Sequence, residues 1–303
     1  MNKPIYKKIT CVNALNKIKS QTPYKWDLNI YRGCEHSCKY CYALYSHKYL
    51  DSGGCFFDYI YIKSNIVEAF EKQLRSKSWN REIINIGGVT DSYQSIEKEN
   101  KIMPEILKLL IKYKNPAIIS TKSTLILRDY DLIDELSRLT YINIACTVTT
   151  TNENTRKIIE PFTSTSKERF NVLKTFRKTN ASVGLHIMPI IPFITDSYEN
   201  IDSLFSCAKD ADVLYLLPGV LHLRGETKKF FYNFLMQSFP ELYNEYIKLY
   251  KKGSADVLYK NQLYKMVNQL RNKYELSSSY MKPIKEKLHK VPDIYEQMSL
   301  FDL

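Results

Sequence analysis

Three cysteines, Cys34, Cys38 and Cys41, stand in the run Tyr31-Arg-Gly-Cys-Glu-His-Ser-Cys-Lys-Tyr-Cys-Tyr42 at Cys-x3-Cys-x2-Cys spacing. Three thiolates this close in the chain can each take one iron of a [4Fe–4S] cluster, whereas a self-contained electron-transfer cluster uses a fourth cysteine. One iron is left open. An open iron can chelate the amino and carboxylate groups of S-adenosylmethionine, pass one electron to its sulfonium and release a 5′-deoxyadenosyl radical that takes hydrogen from unactivated C–H bonds. Two other chemistries use clustered cysteines. Zinc sites usually join two Cys-x2-Cys or His units; no second pair is present, although Cys55, His36 or His47 could supply a fourth ligand. A disulfide framework is the other, but seven cysteines are an odd number, and three in one cluster fit thiol ligation in a reducing compartment better.

A loop of this kind needs a rigid support, and the apolar pattern supplies one. Runs rich in β-branched residues at 83–86, 117–120, 141–148, 183–188 and 213–217 alternate with amphipathic stretches at 103–111, 132–139 and 167–177. Such alternation predicts βαβ units and a parallel sheet. With a first strand at 28–31 there are six units, fewer than the eight of a closed barrel, and the cysteine loop directly follows the first strand. Active sites of these sheets lie beyond the C-terminal strand ends.

After about Gly225 the pattern is helical only. Phe230, Phe231, Phe234 and Leu235 form one stripe, and Tyr243, Tyr246, Ile247 and Tyr250 another. Eight of the 24 tyrosines fall between residues 226 and 280; at helical spacing they read first as core with wet hydroxyls, and second as base-stacking or radical-relay groups. From Ser277 the chain turns polar, with Pro283 and Pro292. The expected organisation is a basic arm at 1–25, a core at 26–225, a helical extension at 226–280 and a flexible tail at 281–303.

The 303 residues, 44% hydrophobic, suffice for one large α/β domain and a smaller appendage. No apolar run has the length of a membrane span, and the first fifteen residues contain no apolar signal segment, so a soluble cytoplasmic protein is expected. Of the net charge of +12, half comes from six lysines within residues 1–26, where there is no acid. Clustered basic charge favours a polyanion through counterion release, and it also serves plain solubility.

The wider motif set resembles the radical SAM proteins related to spore photoproduct lyase. It continues from the cysteines through Ile62-Lys63-x-Asn65, Gly88-x-Thr90-Asp91-x-Tyr93-Gln94-x-Ile96-Glu97, Thr121-Lys122-Ser123, Arg128-Asp129, Glu160-Pro161, Arg169 and Pro189-x-Ile191-Pro192. The resemblance implies a partial (βα)6 TIM-like barrel with the [4Fe–4S] cluster and S-adenosyl-L-methionine at its open mouth. Cys34, Cys38 and Cys41 would bind the cluster, and Tyr40 and Tyr42 would flank the adenine. Gly87, Gly88, Thr90 and Asp91 would hold the methionyl and ribose groups, Lys122 would pair with the carboxylate, and Thr147 and Pro189 would stand at later strand ends. A reductase or flavodoxin-type electron donor is implied as well.

One departure bears on the chemistry. Spore photoproduct lyase carries, after its second strand, a cysteine that returns hydrogen to the product radical, and Gly87-Gly-Val-Thr-Asp91 has none. Cys146, Cys55 or a tyrosine at the mouth could replace it, against the default that buried thiols are inert. The terminal Gln297-Met-Ser-Leu-Phe301 resembles the peptide by which bacterial DNA repair and replication proteins dock on the sliding clamp, with Gln297, Leu300 and Phe301 as anchors. Three functions compete on these grounds. The first is a radical SAM enzyme performing lyase-like repair or modification of nucleic acid, with DNA the expected partner. The second acts on a peptide or small metabolite, and the third is a non-catalytic metal-binding module for nucleic acid.

Overall fold

The computed structural model describes residues 4–19, 22–50, 55–251 and 253–288. The chain opens with strands β1 (Ile5–Ile9), β2 (Leu15–Lys17), β3 (Trp26–Leu28), β4 (Tyr31–Arg32) and β5 (Tyr59–Lys63). Helix α1 (Ile66–Leu74) and β6 (Ile84–Ile86) follow, then α2 (Glu97–Asn100), α3 (Ile102–Tyr113), β7 (Ala117–Thr121), α4 (Tyr130–Leu139) and β8 (Ile142–Thr147). Next come α5 (Glu153–Ile159), α6 (Ser166–Phe176), β9 (Ser182–Ile190), α7 (Tyr198–Asp210) and β10 (Tyr215–Val220). Helices α8 (Gly225–Ser238), α9 (Tyr243–Leu249), α10 (Val257–Tyr274) and α11 (Met281–Lys287) complete the described chain.

The main sheet runs β10-β9-β8-β7-β6-β3-β2. Its six strands from β3 to β10 are parallel, and β2 is antiparallel on the β3 edge, so the result is the expected partial (βα)6 barrel. Strand side chains alternate between two faces. Ile84, Ile86, Ile144, Cys146, Val183, Leu185 and Ile187 join the helices in the main core, while Asn85, Asn143, Gly184 and His186 take the opposite, inward face. The covering helices are amphipathic for the same reason. In α3, Met103, Ile106, Leu107 and Leu110 recur at three and four and are wholly buried, each stabilising the fold by about 1.5–3 kcal/mol relative to exposure.

The first strand differs from its expected form. It splits: β3 joins the main sheet, whereas β4 pairs antiparallel with β5 in a separate sheet of order β1-β5-β4. Asn29, between them, accepts from the Val89 amide at 2.9 Å, and the Ile30 carbonyl accepts from the Lys63 amide at 3.3 Å, so the chain is handed from one sheet to the other.

The basic N-terminal segment is likewise not a free arm, because β1 pairs in parallel with β5 while Lys7 and Lys8 remain exposed. Its short, charged run hid the strand from a pattern reading. The first residues of the expected flexible tail are structured instead. Met281–Lys287 is helical, and Ile284, fully buried against Ile83, Ile118 and Tyr141, closes the N-terminal end of the barrel. Pro283 lies in the first turn of this helix, where its missing N–H is tolerated. The Gln297, Leu300 and Phe301 peptide lies outside the described residues. Tyr246 and Tyr250 are core, as the first reading has it: both are fully buried, and their hydroxyls donate to the Pro192 and Leu221 carbonyls. Among the described residues no helix is long and apolar enough to cross a membrane.

Candidate active site at the barrel mouth

The cysteine loop begins at Gly33, which adopts φ +82°. A Cβ there would stand 2.4 Å from the Tyr59 carbonyl oxygen and 2.9 Å from that of Phe56, so only glycine fits. Beyond it, Cys38 is buried, and Cys34 and Cys41 are partly so. The loop is held from three sides. The Lys39 amide donates to the Ile159 carbonyl at 2.9 Å, the Glu35 amide to Gln94 Oε1 at 2.9 Å, and the Thr227 hydroxyl to the Cys41 carbonyl at 2.9 Å. Burial pushes the Cys38 thiol up to about 11 and the Cys41 thiol up to about 12, and the Lys122 charge pulls both back. A metal must displace those protons, and the nearby cation favours the thiolates that result.

Asp91 ties this loop to the strand ends. Its carboxylate accepts from the Tyr93 amide at 2.8 Å, the Thr121 hydroxyl at 2.8 Å and the Lys122 amide at 2.9 Å, and it lies 3.3 Å from His36 Nδ1. Burial alone would raise the acid, but His36 and these donors outweigh it and hold Asp91 at about 2. Burial likewise opposes charge on His36, yet Asp91 and Cys34 draw its imidazole up to about 10.

On the other side, α6 starts with a capping box in which the Thr165 and Glu168 side chains satisfy each other's amides. The next residue, Arg169, is thereby aimed inward. It pairs with Glu160 at 2.7 Å and donates to the Thr147 carbonyl at 2.6 Å, and Glu160 also accepts from the Tyr40 and Thr149 hydroxyls. Lys122 Nζ stands 5.8 Å over the Tyr40 ring. Burial works against its charge, while Cys38, Glu160 and Asp91 sustain it. Its ammonium makes no ion pair among the described residues.

The expected cofactor residues also have protein partners: Thr90 donates to the Gly33 carbonyl at 2.5 Å, and with Asp91 it ties the cysteine loop to the strand ends. Tyr40 is pinned to Glu160, whereas Tyr42 is exposed and donates to the Gly88 carbonyl. Gly87, at φ +88°, and Gly88, where a Cβ would strike the Asp27 carboxylate at 2.4 Å, stay half-open at the end of β6. Thr147 is buried beside His186, and Pro189 is half-buried near the end of β9.

Cys146, one of the two thiols considered as hydrogen-atom donors, is fully buried in the core between strands and helices. Cys55 is exposed just before β5. The proposed fourth zinc ligands are otherwise engaged, His36 with Asp91, and His47 with the Tyr59 carbonyl at 3.2 Å. Among the described residues no three His, Cys, Asp or Glu side chains converge as ligands of one ion.

Sequence reasoning assigned no site role to Glu160, Arg169, His186 or Gln94. Their partners are remote in the chain, and only their presence in the wider motif set marked the first two and Gln94. His186 faces inward on β9, 3.4 Å from the Tyr215 hydroxyl, and burial, aided by Lys122, holds it neutral at about 4.

The model of the radical SAM superfamily matches residues 28–205. The chain belongs to that superfamily. It is 32% identical over 280 residues to an uncharacterized protein of Mycobacterium tuberculosis, covering 91% of this chain and 82% of that one. An uncharacterized protein of Methanocaldococcus jannaschii is 30% identical over 236 residues, covering 75% and 84%. Spore photoproduct lyase complexed with dinucleoside spore photoproduct matches with a TM-score of 0.65 at 13% identity, covering 89% of this chain and 79% of that chain. SuiB of Streptococcus suis bound to S-adenosylmethionine matches with a TM-score of 0.55 at 13% identity, covering 91% and 50%. Both are likenesses of fold. The donor set fits the superfamily's cofactors: three thiols on one loop suit three irons, and the unpaired Lys122 ammonium suits a carboxylate.

Proposed function

We propose that the chain binds one [4Fe–4S] cluster through Cys34, Cys38 and Cys41, cleaves S-adenosylmethionine reductively and carries out a lyase-like repair or modification of nucleic acid. Held by these three thiolates, such a cluster would supply the one-electron reduction of the sulfonium from which radical hydrogen abstraction follows. Lys122 carries this reading. Its half-buried ammonium is kept charged by Cys38, Glu160 and Asp91 yet makes no ion pair among the described residues, so it is available to a ligand's carboxylate. Asp91 and His36 hold the cysteine loop against the strand ends, and Glu160 and Arg169 fix the Tyr40 ring beneath the cation. Nucleic acid is favoured by the net charge of +12 and by the fold shared with a lyase whose complex holds a dinucleoside lesion. With no cysteine in Gly87–Asp91 and Cys146 buried, the exposed Cys55 or a mouth tyrosine is the favoured hydrogen-atom donor in this reading.

The test is anaerobic reconstitution with a flavodoxin-type reductant, scored for iron, sulfide and 5′-deoxyadenosine with and without damaged DNA or RNA. Parent protein is expected to hold four irons and to release more 5′-deoxyadenosine with nucleic acid, and Cys38→Ala to lose cluster and cleavage together. Full cluster and cleavage in that variant would refute the ligand assignment.

A further inference from the structure

Five aromatic side chains are strongly exposed among the described residues: Tyr42 at 64%, Tyr45 at 50%, Phe162 at 53%, Phe193 at 46% and Tyr198 at 49%. Single exposed aromatics are ordinary on a surface, but these five share one end of the molecule. Tyr42 and Tyr45 follow the cysteine loop, Phe162 lies between β8 and α6, and Phe193 and Tyr198 follow β9. Every one therefore sits on a segment leaving a strand at the barrel's open mouth.

Phe193 is the most specific. Its backbone adopts φ +62°, a left-handed conformation unfavourable for a bulky residue. The turn is enforced by the Ile191 amide donating to the Thr195 hydroxyl at 2.8 Å, and the ring is braced against Tyr246 and Tyr259 at 5.8 and 6.3 Å. The ring is thus held by two neighbours in edge and tilted contact while nearly half the residue meets solvent. That is a rigid platform, not a loose hydrophobe.

Cations stand on the same and neighbouring segments. Lys39 on the cysteine loop, Lys157 on α5, Arg224 before α8 and Lys228 on α8 make no ion pair with a carboxylate among the described residues. Rings with free faces and uncompensated cations match a strand whose bases and phosphates are both accessible. Duplex bases already stack on one another and offer these rings no face.

We propose, building on the nucleic-acid reading above, that the mouth binds an unpaired stretch of nucleic acid. Bases stack on Phe162, Phe193 and Tyr198, phosphates meet Lys39, Lys157, Arg224 and Lys228, and the target nucleotide enters the barrel outside the double helix.

The experiment measures binding of the reconstituted full-length protein, at fixed salt, to a fluorescent single-stranded oligonucleotide, its perfect duplex and polyglutamate. The single strand is expected to bind at least tenfold more tightly than the duplex. Phe162→Ala, Phe193→Ala and Tyr198→Ala should each weaken it between about fivefold and a hundredfold, with duplex binding and basal SAM cleavage unchanged, thermal unfolding unchanged for Phe162→Ala and Tyr198→Ala, and affinity retained in Phe162→Tyr. Lys157→Ala should weaken single strand and duplex alike and lower the salt slope by about one. Equal affinity for single strand and duplex, or aromatic variants without effect, would overturn the unpaired-strand proposal while leaving nucleic acid as substrate. Tight polyglutamate binding with no oligonucleotide binding would overturn the nucleic-acid reading itself.

Discussion

Arg169 and Glu160 meet at 2.7 Å in an ion pair in which neither side chain is exposed. Their worth lies in placement. Taking both charges out of water offsets most of their attraction, but Glu160 also receives the Tyr40 hydroxyl, and the Tyr40 ring lies beneath Lys122. The pair thereby links helix α6 to the cysteine loop and to the cation of the site.

Removing one partner strands the other charge. Glu160→Gln and Arg169→Met should each destabilise the protein by about 3–5 kcal/mol in chemical denaturation, and the double variant by clearly less than the sum. Single variants as stable as the parent would show that the pair is not buried in solution.

Lys122→Ala should leave iron content unchanged but weaken SAM binding by about 1.5–3 kcal/mol, the loss of a charge-assisted contact. Isothermal calorimetry on the reconstituted protein reads this directly. Unchanged affinity would remove Lys122 from the carboxylate site.

The His36–Asp91 pair makes stability depend on pH in the cluster-free protein. His36 is raised from 6.5 to about 10, so its contribution is complete below pH 6.5 and is lost as pH rises towards 10. Asp91 is depressed from 3.8 to about 2, so its contribution is present above 3.8 and fades as pH falls towards 2. Relative to the parent, His36→Gln should therefore lose most stability near neutral pH and progressively less towards pH 10. Denaturant midpoints across that range test it, and a constant difference between the two proteins would contradict the pairing.

Gly33→Ala should cost on the order of 2–5 kcal/mol, combining a left-handed alanine with overpacking against two backbone carbonyls that cannot retreat. Iron bound per chain after reconstitution should fall with it. A variant that melts and loads iron like the parent would mean that the loop has another route past Tyr59.

The cysteine triad, the six parallel strands and the helical extension after Gly225 were legible because each is local. Thiol spacing within one loop, and apolar period along one segment, are properties of consecutive residues. The five rim aromatics were not legible as a group, since an exposed phenylalanine has no distinguishing neighbours in the chain. Cys146 shows the limit in one residue. It lies on a strand the apolar pattern showed, yet the two-residue alternation of that strand turned it to the helices. Asp91 and Thr90 were legible as loop residues, but their contacts with Gly33, His36 and Thr121 were not, because those partners come from other segments. Tyr40 and Glu160 lie 120 residues apart. What the sequence determined by itself was the chemistry available in each segment. Which groups spend that chemistry on one another, and which are left for a ligand, was decided only in the fold, because strand order sets those contacts and no local pattern encodes it.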